Sequence, residues 1–548
     1  MCKRYQGLMT YVTVNFIERI LYLLFSMAIG IAFVLSVGCS SGTAPTIATP
    51  TTTPVLNVQD VQTLMAHAVE QAERLNEKIN VAILDREGNI LGVFRMTGAP
   101  QQTPPLQSLF GEIAKARTAA YLSSNQHAFT TLTACFITRS HFPPASNNTS
   151  AGPLFGVPFS SRSDSDVQPN GGPLPPLGPP QPPVPPQPGL TNIPGGVPVY
   201  VGGMLAGGIG ISGGSDTFTQ LNTINDQCVG VTKDEIIALG AVGEYAPPPD
   251  KRGDNVFLDG IQLFYANTTP PPGNFTLTFN DLATRGAVDP NYPIRTTLPA
   301  KFPAQGEVAI DALHNYTIRG GSVLTESEVR QIINQAVVRA KNTRAAIRRP
   351  IGMPAQVFIT VTDLDGTILG MYRTSDATIF SYDVSAQKAR TVVAFSNPND
   401  PLGAQLRSIL GQPANQPIAV STRTVGFLGQ RYYPPGIDQG TPSQTIPPEM
   451  GPLYTYVDGQ FDFQYQRLMP TRPPFQNGIT IFPGGLPLYK NGQLAGGIGI
   501  SGDGVDQDDY IAMGGSAGFL PPAGITADRF SYRTISLAYY KAPRQPGL

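Results

Sequence analysis

Two pairs of basic residues stand in the same local sequence at separate places along the chain. Lys115 and Arg117 belong to the segment Lys-Ala-Arg-Thr, which recurs with Lys388 and Arg390 at its basic positions. Only 14% of all residues are charged, so a generally charged surface does not explain the repetition. Because an arginine can bind a carboxylate through two parallel hydrogen bonds, one member of each pair is a candidate for binding an acidic ligand. The alternative is an ordinary charge pair on a solvated face or at a helix end.

A glycine-rich segment also occurs twice. Gly208 and Gly210 lie in Gly-Gly-Ile-Gly-Ile-Ser-Gly, and Gly497 and Gly499 occupy the same positions in its second occurrence. The spacing formally matches Gly-x-Gly-x-x-Gly, but a dinucleotide site needs this sequence between a parallel strand and a helix. These glycines fall on the return strand of an expected hairpin, so we expect no nucleotide cofactor. Glycine instead lets a helix or a flat ligand approach the strand closely.

Single residues suggest iron ligation as a third kind of chemistry. His127 follows the first Lys-Ala-Arg-Thr segment and is a candidate iron ligand, although Asp400 stands at the matching position after the second segment. A surface histidine is the alternative interpretation. Thr118 and Thr391 end the two repeated segments and are further candidates for the ligand site. No Gly-x-Ser-x-Gly sequence lies at a strand-to-helix turn and no His-Glu-x-x-His occurs, so no catalytic set is predicted.

The composition limits the class of protein. The chain has 548 residues, which favours two domains over a single core. Its net charge of −1 excludes a nucleic-acid binder that relies on a basic face. Four cysteines and four histidines are too few for a zinc array, an iron–sulfur protein or a disulfide scaffold.

The repeated segments belong to a duplication that covers most of the chain. Leu205–Gly213 recurs letter for letter as Leu494–Gly502, and a Pro-Gly-Gly-x-Pro segment precedes both. All matching segments follow the same order in the two halves. The chain is therefore expected to contain two copies of one domain.

Each copy is predicted to contain the same elements. A helix comes first, then a hairpin with an acidic turn, the helix that carries Lys-Ala-Arg-Thr, a long insertion and a second hairpin. The second hairpin turns at Gly202-Gly203 in the first copy and at Asn491-Gly492 in the second. A short helix and a final alternating strand complete the unit. This order predicts an α+β fold: two tandem PAS/profilin-like domains, each an antiparallel sheet with packed helices, plus long Pro/Gly-rich insertions.

The domain boundaries follow from the repeats and from changes in composition. Residues 171–190 are half proline, which favours polyproline II rather than a packed core. The insertions are expected at about 145–192 and 397–480. In chain order we expect a signal peptide or membrane anchor at 1–38, a Thr/Pro-rich linker at 39–55, the first domain at 56–266, a linker at 267–319, the second domain at 320–541 and a tail at 542–548.

The N-terminus has the composition of an export signal. Lys3 and Arg4 stand near the N-terminus, an apolar run extends over residues 20–38, and Cys39 follows. This arrangement resembles a bacterial lipoprotein signal in which Cys39 is lipidated, and a cleaved signal peptide or an uncleaved anchor are the alternatives. Each places the rest of the chain in the periplasm, on the outer membrane or outside the cell, with membrane contact only through the N-terminus. In an exported protein Cys135 and Cys228 could pair.

The repeated segments resemble those of one known family. The Asp-x-x-Gly hairpin, the Lys-Ala-Arg-Thr helix, the Pro-Gly-Gly-x-Pro segment and the glycine strand are together similar to the GlcG/HbpS-like, or haem-degrading, family. The resemblance covers most of both halves but not the N-terminus or the insertions. It implies a PAS/profilin-like fold, a tendency to oligomerise and, for secreted members, haem binding with slow iron-dependent breakdown.

These observations lead to one functional hypothesis and two rivals. The first is an exported tandem-domain protein that binds haem or another flat small molecule, with weak haem-degrading activity, between the glycine strand and the Lys-Ala-Arg-Thr helix. The second is a non-catalytic assembly module that forms homo-oligomers or contacts other cell-envelope proteins. The third is a PAS-like binder of small carboxylates.

Overall fold

The computed structural model describes most of both predicted domains. Both sheets belong to one compact unit that extends from residue 53 to the end of the chain. The predicted signal segment, Cys39 and almost all of the proline-rich stretch lie outside the described residues. The structure describes residues 55–100, 111–157, 160–161, 165–167, 190–215, 228, 231–269, 273–295, 317–430, 432–437, 451–454 and 477–548.

The first copy begins with a helix whose apolar stripe faces the sheet. The side chain of Asn57 accepts from the backbone N–H of Asp60 and caps this helix. Val61, Leu64, Ala68 and Ala72, which recur at helical spacing, are all fully buried. The helices and longer strands are α1 (Val58–Arg74), β1 (Asn80–Asp85), β2 (Ile90–Met96), α2 (Glu112–Tyr121), α3 (Thr131–Ile137), β3 (Gly196–Val201), β4 (Met204–Ser212) and α4 (Lys233–Ala241), followed by the short strands β5 (Phe257–Leu258), β6 (Ile261–Gln262) and β7 (Gly286–Val288).

The second copy repeats this order. Thr325 caps its first helix through the backbone N–H of Glu328. Its helices and strands are α5 (Glu326–Lys341), β8 (Val357–Thr362), β9 (Ile368–Arg373), α6 (Ser381–Ser396), α7 (Pro401–Ile409), α8 (Thr422–Leu428), β10 (Gly485–Lys490), β11 (Gln493–Gly502), α9 (Val505–Gly515), β12 (Ser531–Tyr532) and β13 (Ile535–Ser536).

Each copy contains one antiparallel sheet with the glycine strand inside it. The strand order is β3-β4-β1-β2-β7 in the first copy and β10-β11-β8-β9 in the second. The glycine strand β4 pairs antiparallel with both β3 and β1, and β11 pairs in the same way with β10 and β8. The predicted fold class is therefore confirmed: both halves adopt the same topology of antiparallel sheet and packed helices.

The hairpin turns have the backbone conformation that their sequences require. Gly202 and Gly203 have φ values of +59° and +77°, and Asn491 and Gly492 have values of +51° and +78°. Two consecutive residues with positive φ are typical of the tight turn that matches the twist of two antiparallel strands.

Two parts of the fold differ from the prediction. Residues 286–288 lie in the segment expected to be a linker, yet they form β7 and pair with β2 at the edge of the first sheet. The predicted final strand of each copy is reduced to two residues, because β6 pairs only with β5 and β13 only with β12. These two small hairpins lie outside the main sheets.

A disulfide joins Cys135 in α3 to Cys228. The two residues are 93 positions apart in the chain, so the bond ties the insertion side of the first copy to the region before α4. None of the helices in the described part of the chain is both long enough and apolar enough to cross a membrane.

Candidate functional site

The two lysines of the repeated segments are structural. Lys115 lies on α2, is fully buried, and donates from Nζ to Asp234 Oδ2 at 2.8 Å and to the Ile211 carbonyl at 2.9 Å. The bond to Asp234 joins α2 to the first turn of α4, and the bond to Ile211 joins α2 to the end of the glycine strand. Lys115 is therefore a buried cross-link within the fold rather than a group exposed to a ligand.

Lys388 on α6 repeats this arrangement in the second copy. It donates to Asp508 Oδ2 at 2.8 Å and to the Ile500 carbonyl. Burial lowers the pKa of Lys388 and raises that of Asp508 to about 7, with the charge of Lys388 opposing the rise. Asp508 lies in the first turn of α9 and is the counter-ion of Lys388.

The glycine strand does not form a ligand surface. A Cβ placed on Gly208 or Gly210 would lie 2.3 Å from the Ala116 carbonyl oxygen or 1.9 Å from that of Glu112. The corresponding distances for Gly497 and Gly499 are 2.2 and 1.9 Å, to carbonyl oxygens of α6. The strand and the helix are in direct backbone contact, so the prediction of a flat ligand between them is wrong. Of the two predicted roles for glycine, close packing against a helix is the one observed.

The two threonines hold the chain that leads into the second hairpin. Thr118 Oγ1 accepts from the backbone N–H of Thr191 at 2.8 Å and donates to the Ala114 carbonyl at 2.9 Å. Thr391 Oγ1 accepts from the backbone N–H of Thr480 at 3.1 Å. Both side chains are buried, and neither is positioned as an open ligand to a metal.

His127 is part of the core. Its ring is fully buried, with Nδ1 2.8 Å from Ser124 Oγ and Nε2 3.1 Å from the Leu122 carbonyl oxygen. Burial lowers its pKa to about 3, and the charge of Arg348 adds to this effect. Because both ring nitrogens are engaged, the prediction that His127 ligates iron is wrong. The described residues contain no cluster of three or more His, Cys, Asp or Glu side chains that could hold a metal ion.

The two arginines of the repeated segments have different surroundings. Arg390 is buried and forms a two-pronged ion pair with Asp166, with distances of 2.8 and 2.9 Å. Arg117 is equally buried, but its Nε and Nη2 have no hydrogen-bond partner. Of the predicted ligand-binding residues, Arg117 is the one with buried side-chain nitrogen atoms that have no hydrogen-bond partner.

A cleft between the two copies is a second candidate site, and the sequence did not predict it. Its volume is about 910 Å³, within the range of small-molecule sites. Ile351 and Phe257 at the cleft are 71% and 53% exposed, which is unusual for large apolar side chains. The apolar side chains that line it are Leu122, Phe129, Ile137, Phe142, Leu154, Phe257, Leu258, Ile347, Ile351, Phe380 and Val505.

The polar lining of this cleft is mainly basic. Arg344, Arg349, Lys541 and Arg544 line it, against only two acidic residues, Asp259 and Asp506. Asp506 is already neutralised, because it pairs with Lys541 at 2.7 Å and with Arg423 at 2.6 Å. The Nε of Arg344 is buried without a hydrogen-bond partner. We name this site the interdomain cleft; it combines apolar walls with unneutralised positive charge.

The relative position of the two copies creates the interdomain cleft. Asp376 of the second copy pairs with Arg86 of the first and with Arg348 of its own copy, both at 2.5 Å. It also accepts from the backbone N–H of Asn125 at 3.1 Å. Arg348 in turn pairs with Asp503. This chain of buried ion pairs fixes the first copy against the second beside the cleft.

Two tandem domains of PAS/profilin type, with the same order of their four main strands and with repeated Lys-Ala-Arg-Thr and glycine segments, define the class of protein. Residues 56–218 and 324–517 match the family described as haem degrading protein HbpS-like. The chain belongs to this family, and the two matched regions correspond to the two copies.

Three solved structures are similar to parts of the chain. One is the complex of PduOC with heme, at 20% identity, covering 36% of this chain and 95% of that one, with a TM-score of 0.20. The second is Klebsiella pneumoniae protein ORFY, at 21% identity, covering 38% of this chain and 96% of that one, with a TM-score of 0.22. The third is a double mutant of Streptomyces reticuli HbpS, at 17% identity, covering 36% of this chain and 88% of that one, with a TM-score of 0.21. No curated protein matches the chain.

Proposed function

We propose that the protein binds haem, or a flat amphipathic anion like it, in the interdomain cleft. The observation that carries the proposal is the combination of apolar walls and basic groups in one cleft of about 910 Å³. A porphyrin has two apolar faces and two carboxylates at one edge, so it needs both features from its site. Membership of the haem-degrading HbpS-like family supports this choice of ligand.

The residues of the cleft fit the two parts of such a ligand. Phe142 and Phe257 offer aromatic surface for the porphyrin faces, and Ile351 is an exposed apolar residue that a bound ring would cover. Arg344 and Arg349 are placed to bind the propionates. Arg344 has a buried Nε without a partner, whereas Arg349 already donates to the Asn255 carbonyl at 2.7 Å. Arg344 is therefore the stronger candidate for a charge-assisted hydrogen bond.

The cleft offers iron none of its usual protein ligands. Among the described residues that line it there is no histidine, cysteine, methionine or tyrosine. Bound haem would supply the iron for redox chemistry, while this chain's residues would hold the ring and its carboxylates. We therefore expect affinity to depend on the porphyrin and its carboxylates rather than on the metal.

The proposal is tested by titrating the purified mature chain with haemin and, separately, with iron-free protoporphyrin IX. Soret absorbance and fluorescence should show saturable binding of both, with dissociation constants within about tenfold of each other. Absence of saturable haemin binding would refute the proposal. Loss of the Soret band over time in the presence of a reductant would show that bound haem is degraded.

Substitutions in the cleft separate specific binding from adsorption to an apolar surface. Arg344→Ala should weaken haemin binding about tenfold, as expected for one lost charge-assisted hydrogen bond. Arg330→Ala is the matched control, because Arg330 lies on α5 in an exposed pair with Glu326. Ile351→Ser should also weaken binding, whereas Val338→Ser, at another exposed apolar residue on α5, should not. Equal effects of test and control variants would place the ligand elsewhere.

We also propose that the chain is exported. The Cys135–Cys228 bond supports this, because disulfides persist mainly in oxidising compartments. Radiolabelled palmitate should be incorporated into the wild-type chain in its native host and not into Cys39→Ala. A chain that fractionates with the cytoplasm would contradict the proposal.

A further inference from the structure

Arg117 is a buried cation that has no counter-ion among the described residues. Its side chain is 1% exposed, and Nε and Nη2 have no hydrogen-bond partner. Burial lowers its pKa, and the only groups that oppose this effect are the phenols of Tyr121 and Tyr292. An unpaired guanidinium in the protein interior is strongly unfavourable, and natural structures rarely contain one without a ligand, ion or water to satisfy it.

The second copy shows which partner this arginine position accepts. Arg390 donates from Nη1 and Nη2 to the two carboxylate oxygens of Asp166. Its remaining donors reach the Gly366 carbonyl at 2.9 Å and Asn477 Oδ1 at 2.6 Å. The same fold, with the same Lys-Ala-Arg-Thr helix, therefore binds a carboxylate through two parallel hydrogen bonds.

This carboxylate comes from the other copy. Asp166 belongs to the insertion of the first domain, and Asp383 of the second domain anchors the same segment. Asp383 accepts from the backbone N–H of Ser161 and from Ser165 Oγ, both at 2.6 Å. The carboxylate of Asp166 is 39% exposed although Arg390 is 2% exposed. The carboxylate position over this arginine thus lies at the protein surface, where solutes can reach it.

The first copy lacks these internal partners for local reasons. The backbone N–H groups of Thr191 and Thr480 bind the equivalent threonines of α2 and α6, which aligns the two copies. Tyr121, which replaces an alanine of the second copy, donates to the Glu87 carbonyl at 3.0 Å and covers the turn. Among the described residues, Arg117 has neither an amide nor a carboxylate partner of the kind that Arg390 has.

We propose that Arg117 is the receptor for a small organic carboxylate, and that in the second copy the equivalent position is filled from within by Asp166. In the first copy the ligand's carboxylate would take the position that Asp166 takes in the second, with the phenols of Tyr121 and Tyr292 beside it. The site is separate from the interdomain cleft, so its ligand need not be a porphyrin.

The test is calorimetric titration of the mature chain with acetate, propionate and succinate in a chloride buffer of constant ionic strength. At least one acid should bind saturably with one site per chain. Arg117→Met should weaken that binding at least tenfold, and Arg390→Met should leave it intact. Asp166→Ala should raise the stoichiometry from one to two, because it opens the site at Arg390. Lack of saturable binding of any of the acids, or binding that persists in Arg117→Met, would overturn the proposal.

Thermal unfolding without carboxylates provides an independent check. Arg117→Met should keep or raise the melting temperature, because it removes an unpaired buried charge. Arg390→Met should lower it, since it leaves Asp166 and Asn477 without their partner. If the two variants lowered the melting temperature equally, Arg117 would have an acidic partner within the chain, and the site would not be open. Haemin binding to the interdomain cleft should be unchanged in Arg117→Met.

Discussion

At the scale of single residues, the two basic positions of the repeated segment serve different purposes. Lys115 and Lys388 cross-link helix to helix through buried ion pairs, and replacing one partner of such a pair would leave the other as an isolated buried charge. Arg117 and Arg390 face the carboxylate position. The sequence predicted that one residue of each pair would meet an acid. It could not tell which one, because the partners Asp234 and Asp166 lie 119 and 224 residues from their cations.

Glu235 should make the stability of the protein depend on pH. It lies in the first turn of α4, and burial raises its pKa from 4.5 to about 8. The folded state therefore binds a proton more tightly than the unfolded state. The stabilisation that this provides is complete below pH 4.5 and is lost as the pH rises toward 8, at about 1 kcal/mol per pH unit. Glu235→Gln should remove this dependence, as measured by urea unfolding at pH 5 and pH 7.5.

The second copy supplies the matched control for this prediction. Its counterpart of Glu235 is Asp509, which pairs with Arg423, whereas Leu132 occupies the arginine's position in the first copy. Asp509→Asn should destabilise the protein at both pH values, because it removes one partner of an ion pair. If the free energy of unfolding changed with pH in the same way for the wild type and for Glu235→Gln, Glu235 would be ionised in the folded protein.

At the scale of helices and strands, the sequence predicted the repeated frame well. Helical spacing, hairpin turns and the order of the elements are local signals, and they were sufficient for both sheets. The strand β7 was not predicted, because Gly286–Val288 is too short to show an alternating pattern. The length of the final strand of each copy was overestimated. The alternation of apolar and other residues that begins at Ile261 and at Ile535 belongs to a small hairpin of two-residue strands and not to the main sheet.

Direct contact between the glycine strand and its helix makes a sharp prediction for Gly210. In Gly210→Ala the added Cβ would lie 1.9 Å from the Glu112 carbonyl oxygen and 2.5 Å from the Ala116 nitrogen. Backbone atoms cannot rotate away, so α2 must shift, and we expect a loss of about 1–3 kcal/mol or more in the free energy of unfolding. Chemical denaturation measures this loss. Gly524→Ala is the control, because no atom lies within 4 Å of its added Cβ; similar stability of both variants would contradict the observed packing.

At the scale of the whole molecule, the two copies share one fold but make different contacts with each other. Arg86 of the first copy forms an ion pair with Asp376 of the second. The residue of the second copy that corresponds to Arg86 is Leu364, and the residue of the first copy that corresponds to Asp376 is Gly98. The ion pairs between the copies are therefore made once and not twice. The interdomain cleft arises from this single arrangement, in which the two copies contribute different edges. Sequence analysis missed the cleft because no local pattern encodes how two domains are placed against each other.

Asp376 is the residue on which this arrangement should depend most. Arg86 and Arg348 hold the pKa of its carboxyl well below the usual value, despite its burial. Asp376→Ala leaves Arg348, whose side chain is 0% exposed, with only Asp503 as a counter-ion, and should cost about 3–5 kcal/mol. Calorimetry of the variant should show two unfolding transitions where the wild type shows one, because only the pair of Asp166 with Arg390 then remains of the ion pairs between the copies in the described part of the chain. Asp250→Ala, at an exposed acid, should leave a single transition.

The same carboxylate also predicts how acid should act on the two-domain unit. Its pKa is lower in the folded than in the unfolded protein, so its stabilisation is complete above pH 3.8 and is lost as the pH falls through the folded-state pKa. Lowering the pH should therefore narrow the stability difference between the wild type and Asp376→Ala. Because the interdomain cleft exists only while the copies are fixed together, haemin binding should be weaker in Asp376→Ala than in Asp250→Ala at pH 7. Equal binding by both would show that one copy suffices to hold the ligand.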